Sequence, residues 1–128
     1  MNFADSLDGY VKRTKLAVDD AVVAINSELT SNVIIKTPVK SGRARANWTA
    51  TIGDEASGTT DNVDKGGQTT IAKGMGIAKN SSGKVFYLTN NLAYINRLEY
   101  GYSGQAPAGM VRISLEEIKK SLRKFNAK

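Results

Sequence analysis

KVFYLTN, residues 84–90, is the clearest strand in a chain that otherwise reads mainly as helix and turn. Val85, Tyr87 and Thr89 alternate with Phe86, Leu88 and Asn90, the two-residue period of an extended segment. Apolar residues on both sides from Val85 to Leu88 predict a central strand covered on two faces. Upstream, NWTATI, residues 47–52, alternates Trp48, Ala50 and Ile52 with polar partners and predicts a second strand. Two strands set among long helical segments predict an α+β fold with a small, mostly antiparallel sheet.

The helices flank these strands. From Phe3 to Val33, apolar residues recur at spacings of three and four, and no proline occurs before Pro38. This predicts one long N-terminal helix, weakened near Gly9, that either crosses the sheet or reaches a neighbouring subunit. The run NVIIK, residues 32–36, is β-branched and is expected to leave the helix ahead of Pro38. At the other end, MVRISLEEIKKSLRKF predicts a helix with a seam of Val111, Leu115, Ile118, Leu122 and Phe125. Both helices are expected to pack on one face of the sheet. The expected core is Val18, Val22, Ile25, Trp48, Val85, Tyr87, Leu98, Val111, Leu115, Ile118 and Leu122.

The connecting segments carry turn chemistry. In TPVKSGRARANW, residues 37–48, Ser41-Gly42 marks a turn, and Arg43 and Arg45 would point to one side of an extended chain. Two guanidiniums so placed suit a row of carboxylates or a phosphate backbone, or they simply cover the sheet edge. Residues 53–68, GDEASGTTDNVDKGGQ, have almost no apolar content and predict a long projecting loop, a flexible segment or a hairpin arm. TTIAKGMGIAKN, residues 69–80, has helical spacing undercut by Gly74 and Gly76. LAYINRLEYG fits a short helix with Gly101 as its C-terminal cap.

Composition bounds the chemistry. The 128 residues predict a single domain, residues 1–128. The chain has neither cysteine nor histidine, which removes thiolate chemistry and the commonest general base and zinc ligand together. No phosphate loop, metal cluster or nucleophile constellation stands out, so neither an enzyme nor a cofactor is expected. No apolar run is long enough to span a membrane. The opening MNFADSLDGY has no apolar signal core, which predicts a chain kept in the cytoplasm. The net charge of +6 gathers in two places: Lys40, Arg43 and Arg45, and the last 17 residues with six bases against two acids. A basic nucleic-acid-binding module would explain that charge, but it wants aromatics among clustered bases, and Lys119–Lys124 has none.

TPVKSGRARANW, then a variable loop, then YLTNNLAYINRLEYGYSGQAPAGMVR and a terminal amphipathic helix resemble the minor tail component family of tailed bacteriophages, the tail-completion or neck proteins. The matching positions run from Thr37, Pro38 and Val39 through Ser41, Gly42, Arg43, Arg45, Asn47 and Trp48. They resume at Asn90, Asn91 and Tyr94, then Leu98-Glu99-Tyr100-Gly101, Ser103, Gln105-Ala106-Pro107 and Gly109-Met110-Val111-Arg112. Ala44 stands where leucine is commoner, and Ile95 follows Tyr94 where alanine is usual.

The resemblance implies a structural virion protein, assembled in the host cytoplasm. It would form a ring, expected to be hexameric, at the head-proximal end of the tail. Its partners would be further copies of itself, the tail terminator and head-closure connector proteins, with DNA passing through the lumen. A tail terminator, which caps tube polymerisation, is the alternative with the same size and texture. A ring needs a heterologous interface. Candidate interface residues are Arg43, Arg45, Asn90, Asn91, Tyr94, Glu99, Tyr100, Tyr102, Gln105, Pro107 and Arg112. Glu99 could pair with Arg43, Arg45 or Arg112, within a subunit or across two.

Overall fold

A helix of 34 residues, α1 (Phe3–Lys36), opens the chain in the computed structural model, which describes residues 3–101 and 103–126. At 1.5 Å per residue it is about 50 Å long. It runs through NVIIK without leaving the helical conformation, because Val33 and Ile34 gain more by burial, at 1% and 0% exposure, than β-branching costs. Thr37 ends it. Its N–H reaches back to the Ile34 carbonyl at 3.2 Å, its Oγ1 donates to the Val33 carbonyl at 2.7 Å, and Pro38 bars continuation.

There follow α2 (Arg43–Ala46), β1 (Thr49–Ile52), α3 (Gln68–Ala78), β2 (Phe86–Thr89), α4 (Ile95–Glu99) and α5 (Val111–Asn126). The fold is therefore α+β, with a long N-terminal helix, a C-terminal helix and an antiparallel sheet. The two strands pair Thr49 with Thr89, Ala50 with Leu88, Thr51 with Tyr87 and Ile52 with Phe86. Ala50 and Leu88 turn toward the helices, while Thr49 and Thr51 face the other way.

Four expectations need correction. β2 is not a central strand: a two-stranded ribbon has only edges, and Val85, just beyond the paired register, is 60% exposed. β1 starts at Thr49, because Asn47 and Trp48 still bond back to the Arg43 and Arg45 carbonyls as the end of α2. Arg43 and Arg45 consequently lie on a helical turn and not on an extended chain. Val85 is an expected core residue, and three others, Val18, Val22 and Leu115, are likewise exposed, at 56%, 37% and 42%. The helical period recorded a face for each of these three. For Val18 and Val22, however, the packing on α1 that the structure describes begins only near Asn26, and α5 turns Ser114 and Ile118 inward in place of Leu115.

Of the remaining expected core, Trp48 and Ile118 are buried, Leu98 and Val111 are half-buried against the core, and Ile25 and Tyr87 are half-buried. The Leu122 side chain lies outside the described set. The core itself gathers Val33 and Ile34 of α1, Trp48, Ala106 and Met110. Leu29, Ile71, Leu88, Ile95, Leu98 and Val111 close around it. Full burial of Ile34 and Met110 contributes about 1.5–3 kcal/mol each.

Gly74 sets how closely α3 lies on α1. A Cβ at that position would sit 2.5 Å from Thr30 Cγ2, so the glycine that weakens the helix locally is what admits the neighbour. Asn26 Nδ2 donates to Ser81 Oγ at 3.0 Å and fixes the far end of the same contact. The long loop, residues 53–67, contains no strand, and it returns to the body of the domain at defined points. Asn47 holds Thr60 from both sides, with Nδ2 donating to its carbonyl at 3.0 Å and Oδ1 accepting its N–H at 2.9 Å. The Gly42 carbonyl accepts the Asp64 N–H at 3.0 Å. Gly42 itself has φ +92°, and a Cβ on it would meet Lys65 N at 2.6 Å, so only glycine fits under the loop.

Candidate assembly surface

The two motif blocks, 37–48 and 90–112, meet around an open cleft of about 530 Å³. Pro38–Ala44 makes one wall, and Tyr94, Leu98, Ser103 and Gln105 make the other. Gln105 joins them. Its Oε1 accepts the Val39 N–H at 2.8 Å, and its Nε2 donates to the Val39 carbonyl at 3.1 Å.

Arg43 and Arg45 diverge from α2. Arg43 donates Nε to the Thr60 carbonyl at 3.1 Å and lies 3.3 Å from the fully exposed Asp61 carboxylate. An ion pair with so exposed a partner is screened by water and adds little to stability. Arg45 donates to three carbonyls: Thr37 at 2.9 Å, Ile35 at 2.8 Å and Lys65 at 2.6 Å. It thereby places a cation on the last carbonyls of α1 and clips the end of the loop to them.

Glu99 pairs with Arg112 within the chain, at 3.2 Å, and not with Arg43 or Arg45. Its larger role is at the start of α5. The carboxylate accepts the N–H groups of Met110, Val111 and Arg112 at 2.8, 2.9 and 2.9 Å, the donors that a helix start leaves without partners. Burial pushes its pKa up, but the bonds from the Arg112, Met110 and Val111 N–H groups and the Arg112 side chain outweigh that and hold it below the ordinary value. Arg112 also donates to the Glu99 carbonyl and lays its guanidinium 5.0 Å above the Tyr100 ring.

Asn90 Nδ2 donates to the Ala44 carbonyl at 2.9 Å, and its Oδ1 accepts the Leu92 N–H at 3.2 Å. Asn91 Nδ2 reaches the Ala56 and Gly58 carbonyls of the long loop at 3.0 and 3.2 Å. Tyr94 and Tyr100 remain 39% and 68% exposed, and Pro107 is exposed. Tyr102 lies outside the described residues. Most of the polar candidate residues thus hold the fold together, while Tyr94, Tyr100 and Pro107 face outward.

Sequence reasoning missed three parts of this arrangement. Asp64 caps α3: Oδ1 accepts the Gly67 N–H at 3.1 Å, and Oδ2 accepts the Thr70 N–H and hydroxyl at 2.8 Å each. The Thr70 N–H is the main cause of its lowered pKa, against a smaller opposing effect of burial. An acid just ahead of a helical run was the available signal. The second part is the bond from Trp48 Nε1 to Thr37 Oγ1 at 2.8 Å, inside the core. The third is the exposed apolar face of α1, where Ala17, Val18, Ala21 and Val22 lie at helical spacing.

Comparison of the chain with family models, curated proteins and solved structures gave no match. Among the described residues, no helix is long and apolar enough to cross a membrane.

Proposed function

We propose that the chain is a structural virion protein of a tailed phage. It is a tail-completion or neck component that forms a ring at the head-proximal end of the tail and joins tail to head. The observation that carries this reading is the convergence of the two motif blocks on one cleft, although the long loop separates them in sequence. Arg45, Asn90, Glu99 and Gln105 lock that surface from within. Tyr94 and Lys40 are left outward on its walls, an aromatic and a cation suited to a protein partner. The exposed apolar face of α1 gives a long helix a reason to extend past its own domain.

The test is a phage lacking this chain. Finished tails of normal length that do not attach to filled heads, with attachment restored by adding the purified protein, are the expected result. Tails of uncontrolled length would point to a terminator instead. Normal infectious particles would overturn both readings.

A further inference from the structure

The edge of β1 that faces away from β2 is open. Gly53 donates to the Val85 carbonyl at 2.9 Å, next to the Ile52–Phe86 pair. Bonds to β2 therefore run through Thr51 and Thr49, and Ala50 and Ile52 turn their backbone N–H and C=O outward. No partner for these groups occurs among the described residues. Ala50 opens onto a groove of about 990 Å³ bounded by β1, α3 and the Thr60–Asp64 stretch of the loop. Val63 and Ile77, 59% and 38% exposed, stand at its walls. Lys73 also lines it, exposed and without an ion pair among the described residues.

An open strand edge inside a groove recognises an extended polypeptide through its backbone. A free lysine there favours an acid on the incoming strand. The chain carries such a segment in Asp54–Gly58, which has two acids, no proline and neither helix nor strand. Neither carboxylate, of Asp54 or of Glu55, is paired among the described residues. Within its own chain the segment is held elsewhere. Asn91, beyond the end of β2, bonds the Ala56 and Gly58 carbonyls and leaves those of Glu55 and Ser57 unbonded. In an extended chain, Glu55 and Ser57 present their backbone groups to the same side.

We propose that Asp54–Gly58 of one copy adds as a strand to β1 of the next, seated in the groove with Glu55 on Lys73. The contact joins two different surfaces, so repeated copies close into a ring or run on as a filament. The inference rests on the self-assembly proposed above and not on a role in a tail.

Because the chain has no cysteine, a disulfide can report the contact. Mixing Glu55→Cys with Lys73→Cys under mild oxidation should yield a covalent dimer of the two variants, with neither variant alone cross-linking efficiently. Lys73→Glu should weaken association at least tenfold in sedimentation at unchanged melting temperature. Adding Glu55→Lys to the same chain should restore it. Assembly that survives Lys73→Glu, with no mixed dimer, overturns the groove contact and leaves self-assembly standing. A wild-type chain that sediments as a monomer at every concentration overturns both.

Discussion

Gln105 and Val39 face each other as residues of paired strands do, although one partner is a side chain: the Gln105 amide accepts the Val39 N–H at 2.8 Å and donates to its carbonyl at 3.1 Å. An exposed pair of bonds exchanges with water, so Gln105→Ala should cost about 0.5–1.5 kcal/mol. Gln105→Glu should not rescue it, since a carboxylate would then face the Val39 carbonyl. Thermal melting of both variants, with hydrogen exchange at Val39, checks this.

Acid should unfold the protein through its two helix caps. Glu99 and Asp64 have folded pKa values below their ordinary 4.5 and 3.8. A depressed carboxyl contributes stability that is fully present above the ordinary value and is lost as pH falls through the folded one. Glu99→Gln should therefore cost about 1–3 kcal/mol at neutral pH and progressively less below about pH 4. Denaturant titrations across that range give the measurement.

Gly74 and Gly76, two positions apart on α3, should respond to alanine with opposite signs. At Gly76 a Cβ meets nothing within 4 Å, and the better helix former should stabilise by about 0.5–1 kcal/mol. At Gly74 it meets Thr30 Cγ2, and Gly74→Ala should destabilise by about 1–3 kcal/mol. Equal shifts in the two midpoints would refute the close crossing of α1 and α3.

Thr37→Val removes the acceptor for Trp48 Nε1 while keeping the shape. With a buried indole N–H left unpaired, the cost should be about 1–3 kcal/mol. Trp48 is the sole tryptophan, so its emission reports this site alone.

α1, α4 and α5 were legible because each writes a local signature: a period, a proline at Pro38, a glycine at Gly101 with φ +88°, whereas the single turn of α2 is too short to show a period. The strands were legible in kind but not in depth. Alternation in 84–90 records two faces, yet nothing in it says how many strands lie alongside. Val18 and Val22 misled for a related reason, since an apolar face on a helix reads alike whether it meets its own domain or remains open. At the cleft, residue types pointed to the right segments and not to the right roles. Glu99 looked like a surface charge because a cap supplied by the last residue of α4, eleven residues ahead of Met110, has no fixed sequence spacing.

The ties that define this domain are far apart along the chain: Asn26 to Ser81 spans 55 residues, and Val39 to Gln105 spans 66. Refolding rates fall as such separations grow, because loops must close before contacts repay the lost chain freedom. α1 can wind early by itself, but the cleft exists only once Gln105 has arrived. On a ribosome, β1 and α3 are complete before Gln105 is made, so the cleft forms on a sheet and helix pair that already exist.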